Sequence, residues 1–341
     1  METIIFHLYE MPQCGIMEES MYDVVALGEL LIDFTPSGKS GHGNDLFEAN
    51  PGGAPCNVLS MLKKSGKSTA FIGKVGNDIF GRLLRKTLNE VGIDDKGLKM
   101  TNDSRTTLAF VQIDETGDRS FAFYRNPGAD MQLSEDEIDE GLIKESRIFH
   151  FGTLSMTHEG VRKATKKAVS IAKENQVLIS FDPNLRPPLW DSLETAVEQM
   201  RYGCSVCDIL KIEDKELEVM TGQSGIDAGV EFLQQHYNIS LILVTAGTHG
   251  SQAYLNHKMA EKKAFITSET IDTTGAGDTF FGCCLSYLLD HPFNTIAENG
   301  LEEMLTFANA AASLVTTRKG AIKSMPEITE VRNWIQSFPL Y

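Results

Sequence analysis

Asp272-Thr273-Thr274-Gly275-Ala276-Gly277-Asp278-Thr279-Phe280-Phe281-Gly282 sets two glycines around an alanine after a polar turn, then opens an apolar segment. The stretch therefore predicts the N-terminus of a buried helix. The N–H groups of Gly275, Ala276 and Gly277 would lie at a helix end without intrahelical acceptors, an arrangement that binds anions. Asp278 falls in the same first turn. A phosphate cradle alone gains nothing from a carboxylate, so its presence points to a base beside an anion hole. The plain alternative is a glycine turn with an aspartate favoured by the helix dipole, and the remainder of the chain decides between them.

A chain of 341 residues accommodates one large α/β domain or two smaller ones. Its 42% hydrophobic and 23% charged content is that of a globular protein. The net charge of −16 and pI near 5.0 argue against nucleic-acid and anionic-membrane partners, which select basic surfaces. A phosphorylated ligand would have to be collected by local positive charge or backbone dipoles. The six cysteines (Cys14, Cys56, Cys204, Cys207, Cys283, Cys284) are too sparse for a disulfide scaffold. A reducing cytoplasm follows as the expectation. Cys204-x-x-Cys207 has no second pair at zinc spacing and is read as packing. No apolar run reaches the ~18 residues of a membrane span. Residues 1–20 lack the charged start and long apolar core of a secretion signal and are expected to form an N-terminal extension, with Met17 or Met21 as candidate true starts.

From Tyr22 to Phe34 the chain reads as one buried strand ending near Asp33, followed by a polar loop over 35–45 and a short exposed strand at 46–49. Pro51-Gly52-Gly53-Ala54-Pro55-Cys56-Asn57 leads into a helix to about Lys64. Paired glycines let a ligand approach the backbone, and Asn57 projects from the first turn; a simple helix start with a local cap is the alternative. A strand at 69–75 and a helix from Asp78 to Val91, stopped at Gly92, complete one β-α-β step. Residues 107–114 and 120–124, separated by Glu115-Thr116-Gly117-Asp118, read as a hairpin that would pair with the 46–49 strand as a lid.

Strands at 148–152, 177–182, 207–212, 241–246 and 252–255 alternate with helices near 158–175, 191–203, 214–221 and 227–237. Such alternation predicts a mostly parallel sheet covered on both faces, with ligands at the strands' carboxyl ends. Asp33, Asp182, Asn184, Lys211, Thr245 and Gly247 fall there. The helix from Leu301 to Thr317 is rich in small residues, suiting close packing or a flat ring; Arg318-Lys319-Gly320-Ala321-Ile322 is a turn, and 327–338 a final helix.

Five ordered blocks together, Gly28 to Phe34, Gly52 to Asn57, Arg125 to Asp130, Asp182 to Trp190 and Asp272 to Asp278, make the chain from about Tyr22 to Trp334 resemble the ribokinase-like (PfkB) sugar kinases. Within them it is most similar to bacterial and plant fructokinases. The resemblance implies a three-layer αβα sandwich with a small β-sheet lid, a kinase domain over 21–341, and lid segments at about 35–50 and 105–126. It implies Asp278 as the base that takes a proton from a sugar hydroxyl, with Gly275, Ala276 and Gly277 holding the developing charge. Asp33, Gly52, Gly53 and Asn57 would grip the sugar, with Arg125 and Arg186 setting its identity.

For the nucleotide the resemblance implies Thr245, Gly247 and Gly250 as the loop on ATP and Asn309 beside adenine, with Asp182, Asn184 and Lys211 nearby. Magnesium would come with ATP, and Glu216 would lie behind it. The relatives' Asn-x-x-Glu appears here as Glu213-x-x-Glu216, leaving the first position without a role. A monovalent cation, potassium, would lie among Asp272, Thr274, Val315, Arg318, Gly320 and Ser324. The expected activity is ATP-dependent phosphorylation of fructose, with small-molecule partners only and a homodimer through the lid. The rival within the class is 2-keto-3-deoxygluconate kinase, whose substrate carboxylate would call on Arg125 or Arg186. From a different class, a silent sugar or nucleotide sensor of the same fold is opposed by the intact Asp278 and Gly-Ala-Gly turn.

Overall fold

The computed structural model describes residues 21–113, 119–297 and 299–338; the 1–20 extension and the Glu115–Asp118 turn lie outside the described residues. The first strand, β1 (Tyr22–Leu27), ends sooner than its apolar run suggests. At Gly28 the chain turns away beneath Pro55, whose Cγ would stand 2.6 Å from a Cβ there. β2 (Leu31–Lys39) then enters a different sheet. Asp33 accordingly sits on the smaller sheet, and not at the end of a central strand. Most of the expected 35–45 loop is strand too, because β3 (Asp45–Gly52) returns antiparallel to β2.

α1 (Ala54–Lys64), β4 (Thr69–Gly76) and α2 (Ile79–Val91) follow as expected. β5 (Asp94–Thr101) was concealed by its polar composition and pairs parallel with β4 at the sheet edge. β6 (Leu108–Ile113) and β7 (Arg119–Tyr124) form the hairpin. It joins β2, with Asp33 opposite Ala109, and not the 46–49 segment as expected. The small sheet runs β3-β2-β6-β7. Phe34 anchors it, stacking on Phe110 at 4.8 Å and meeting Phe80 of α2 edge-on at 5.6 Å.

The short α3 (Glu140–Lys144) precedes the regular half: β8 (Ser146–Gly152), α4 (Glu159–Glu174), β9 (Leu178–Asp182), α5 (Leu193–Val206), β10 (Ile209–Glu213), α6 (Asp214–Thr221), α7 (Ile226–His236), β11 (Leu241–Thr245), β12 (Ser251–Leu255) and β13 (Lys258–Lys262). α8 (Ala276–Asp290), α9 (Gly300–Val315) and α10 (Ile328–Ser337) close the chain. The large sheet runs β13-β12-β11-β10-β9-β8-β1-β4-β5. Its strands are parallel from β11 to β5, while β12 and β13 pair antiparallel.

Alternation along β1 shows why helices cover both faces. Val24 and Ala26 join one apolar layer with α1, α8 and α9, and Val25 and Leu27 join the other with α4 and α5. A strand buried on both sides needs the continuous apolar run that Val24 to Leu27 supplies. The five described cysteines are free and buried, and burial pushes the Cys204 thiol up to about 12, which fits a packing role. No described helix is long and apolar enough to cross a membrane.

Asp78 ties the core to the base of the small sheet. Its carboxylate caps α2 by accepting from Phe80 N and Gly81 N at 3.0 and 2.8 Å, and accepts from Thr106 N and Oγ1 at 2.9 and 2.8 Å. Partial burial opposes ionisation, but these bonds hold its pKa below the ordinary carboxylate range. Asp78→Ala is expected to lower the unfolding free energy at pH 7 by about 1–2 kcal/mol in urea titrations. The native pKa is the depressed one, so the contribution is complete above about pH 4 and fades as pH falls through the native value.

Candidate active site

The N-terminal ends of α1 and α8, strand β2 of the small sheet and the ends of β9 and β10 enclose a cleft of about 400 Å³. α8 supplies its floor. Gly275 caps this helix at φ 79°, a left-handed conformation that favours glycine, and a Cβ there would also lie 2.8 Å from Ala321 Cβ. Thr279 Oγ1 donates to the Gly275 carbonyl at 2.7 Å and fixes the turn. Gly275 and Gly277 line the cleft; Ala276 does not, and its N–H makes a 3.3 Å bond to the Thr273 carbonyl.

Asp278 meets the other end of the chain here. Asn57 Nδ2, from the first turn of α1, donates to Asp278 Oδ2 at 2.7 Å. Burial raises the pKa of Asp278, opposed by that bond and by the charges of Lys211 and Arg186. Asn57 Oδ1 is buried without a partner. Across the cleft, Asp33 projects from β2 against the Gly52 backbone, where a Cβ would come 2.2 Å from its Oδ2. Burial lifts Asp33 to about 7; Arg186 opposes the shift, and Asp272 and Asp278 add to it.

Lys211 is the buried cation of the site. Its Nζ pairs with Asp182 at 3.1 Å and approaches Glu213 at 3.9 Å. It also lies against α8, 3.2 Å from where a Gly277 Cβ would stand. Burial disfavours its charge, yet the surrounding carboxylates, Asp182 first, raise its pKa. Burial pushes Asp182 and Glu216 upward, and Lys211 pulls both back.

A helix end beside a carboxylate, facing acceptors across a cleft, suits phosphoryl transfer to a hydroxyl, which rests on positioning and charge stabilisation. The model of the pfkB family carbohydrate kinases matches residues 21–328. The chain belongs to that family. Fructokinase-1 of Zea mays is 41% identical over 315 residues, covering 92% of this chain and 97% of the relative. The structure of a fructokinase with bound ATP from Xylella fastidiosa superposes with a TM-score of 0.84 at 29% identity, over 92% of this chain and 98% of that one. A double-mutant fructokinase of Vibrio cholerae O395, in fructose, ADP and potassium ion bound form, gives 0.82 at 28%, over 94% and 100%.

Of the kinase's expected sugar residues, Asp33, Gly53, Asn57 and Arg186 line the cleft, while Gly52 backs Asp33. Arg125 is elsewhere: it is buried, pairs with Asp130 at 2.7 Å, and donates to Thr157 Oγ1 and the Leu154 carbonyl at 2.9 and 3.0 Å. Its guanidinium braces Leu154, which does line the cleft. Asn184 and Lys211 are lining residues and Asp182 lies behind them. Glu216 accepts from Leu185 N and Glu213 N at 2.6 and 2.9 Å, so its carboxylate joins α6 to the segment carrying Arg186.

Thr245, Gly247 and Gly250 continue the rim beyond Glu213, which pairs with Thr245 in register. Asn309 is saturated: its Oδ1 accepts from Ser251 Oγ at 2.9 Å, and its Nδ2 donates to the carbonyls of Lys262 and Lys263 at 3.1 and 3.2 Å. Its amide holds strands and has no donor left for a ring.

The six positions expected around a cation cluster in one place. Asp272 accepts from Thr274 N at 2.9 Å and Gly320 N at 3.2 Å, and the Val315 carbonyl accepts from Arg318 N at 3.1 Å. Arg318 donates to the Ser324 carbonyl at 3.3 Å and to Glu330 at 2.6 Å. One carboxylate, Asp272, thus staples the start of this turn to its end.

Glu29, Leu31, Phe123, Leu154, Glu213 and Thr273 also line the cleft. Glu29 falls in the Tyr22–Phe34 run that the apolar pattern assigns to a strand, but the structure places it in the corner between β1 and β2. Only its charge within an apolar run signalled otherwise. Lys211→Met is expected to cost about 3–5 kcal/mol in thermal unfolding, because buried carboxylates lose their counterion. Adding Asp182→Asn should recover part of that loss.

Proposed function

We propose that this kinase transfers the γ-phosphoryl group of ATP to D-fructose at its 6-hydroxyl. The observation that carries the reading is the carboxylate of Asp278, held by Asn57 in the first turn of α8 opposite Asp33. In this reading the hydroxyl lies beside Asp278, Asp33 accepts from other sugar hydroxyls, and Asn57 Oδ1 takes the donor it lacks. The backbone of Gly52 and Gly53 completes the grip. As the sugar oxygen bonds to phosphorus, its proton passes to Asp278 and the bond to ADP breaks, with ADP keeping the electron pair. The amides at Gly275 and Gly277 and the ammonium of Lys211 offset the charge on the transferring group, while the Ala276 N–H is held by the Thr273 carbonyl. The small sheet closes the cleft against water, which would otherwise accept the phosphoryl group.

The nucleotide lies along the rim of Thr245, Gly247 and Gly250, with Asn309 shaping the adenine end through the strands it ties. Magnesium would be held by the phosphates and water on the side of Glu213, with Glu216 behind, and would supply charge neutralisation. Potassium would sit within the turn of Asp272, Thr274, Val315, Arg318, Gly320 and Ser324 and stabilise the start of α8. A cytoplasmic setting suits the free cysteines.

Fructose is preferred over 2-keto-3-deoxygluconate on electrostatic grounds. Arg125 is spent on Asp130 and Lys211 on Asp182, leaving Arg186 alone among the carboxylates of Glu29, Asp33 and Asp278. An acid sugar would meet repulsion there. ADP release with fructose, 2-keto-3-deoxygluconate, ribose, adenosine and fructose phosphates is expected to be fastest with fructose. Preference for the acid sugar would reverse the assignment, and silence with all five would favour a sensor. Asp278→Asn should lower kcat by about 10²–10⁴-fold. The acid limb of kcat/KM should lie above the ordinary carboxylate range, since burial raises Asp278 and lifts Asp33 to about 7. Turnover should fall when sodium replaces potassium; equal rates would remove the potassium site.

Phe47 and Tyr124 of the small sheet and the adjacent Ile79 are 46%, 67% and 67% exposed. Apolar exposure of this kind on the lid suits a second copy of the chain. Sedimentation at micromolar concentration should give a dimer, and a monomer would refute it.

A further inference from the structure

Glu29 is a buried carboxylate in the cleft wall that the phosphoryl-transfer chemistry does not use. It stands in the corner between β1 and β2, 3% exposed, and its Oε1 accepts from Ala54 N at 2.8 Å. Ala54 is the first residue of α1. A helix normally finds an acceptor for its leading N–H groups in the side chain of its own N-cap. That solution is closed here, because the N-cap is Gly53, at φ 126°. A Cβ at Gly53 would also stand 2.4 Å from the Glu29 carbonyl oxygen. The corner and the helix start are therefore pressed together at the one place where a capping side chain would fit, and the acceptor comes from 25 positions earlier in the chain.

The same bond bears on the reacting groups. Asn57 lies one turn from Ala54, its backbone N–H donating to the Gly53 carbonyl at 3.0 Å and its Nδ2 to Asp278. We infer that Glu29 is a positioning residue: by capping α1 from the β1–β2 corner it fixes Gly53 and Asn57, and through them the seat of the sugar, without touching the phosphoryl group. The sugar part of this inference rests on the proposed kinase reading. The capping part does not.

Two variants separate the bond from the charge. Glu29→Gln keeps a carbonyl oxygen for the Ala54 N–H; Glu29→Met fills the space with no comparable acceptor. Loss of one buried hydrogen bond at the sugar wall is expected to raise the KM for fructose about tenfold in Glu29→Met, with the KM for ATP within about twofold of the parent. Amide hydrogen exchange without ligand should accelerate in the peptide from Gly53 to Leu59. Glu29→Gln should restore both. The inference is overturned if Glu29→Met keeps the parental exchange and KM, if both Michaelis constants rise together, or if Glu29→Gln fails as badly as Glu29→Met. If the parent does not phosphorylate fructose, the kinase reading falls, and the exchange measurement still decides the role of Glu29.

Discussion

The hydrogen bond from Asn57 to Asp278 joins the first helix of the chain to the eighth, 221 positions later, and the geometry of the cleft depends on it. α1 and α8 pack on the same face of the large sheet, so both helix ends open onto one cleft. One end presents Gly53 and Asn57; the other presents Gly275, Gly277 and Asp278. A neutral donor is well chosen for this contact. A lysine or arginine in place of Asn57 would hold Asp278 strongly ionised and weaken it as a base, whereas the amide orients the carboxylate with a milder effect on its proton affinity.

Carboxylates crowd the cleft, with Glu29, Asp33, Glu213 and Asp278 in its lining and Asp182 and Glu216 behind it. Lys211 is the buried counterion of this group and Arg186 the more open one. Burial lifts several of these acids, and the two cations limit the rise. The result is a set of acceptors for a polyol's hydroxyls that is also short of positive charge. A phosphorylated donor must bring or recruit cations of its own, against the protein's overall negative field.

The large sheet was legible because its strands are apolar throughout and alternate with helices of regular period. The small sheet was less so. β2 is continuous in sequence with β1 and changes sheet after Gly28, whose close neighbour Pro55 is more than 20 residues away. β5 is polar because it forms an edge. At the site, the motif at 272–278 announced its helix end, and Asp33 and Asn57 were recognisable from their blocks. Arg125 and Asn309 were not, since their hydrogen-bond partners are set by tertiary neighbours: Asp130 and Leu154 for one, Ser251 and the Lys262 and Lys263 carbonyls for the other. Glu29 escaped for the converse reason. A glycine N-cap gives no local sign that its acceptor arrives from another strand.

Because α8 lies between α1 and α9 in the apolar layer, the site also has an order of birth. A chain growing from its N-terminus carries Asp33, Gly53 and Asn57 more than 200 residues before Asp278 is made. Until α8 is synthesised and docks, Gly53 and Asn57 face a gap where Gly275, Gly277 and Asp278 will stand, and the face of α1 that packs on α8 lacks that cover. Domains of this size fold through such incomplete states. An unfinished chain can therefore carry Asp33, Gly53 and Asn57 while Asp278 and the turn before α8 are still to come.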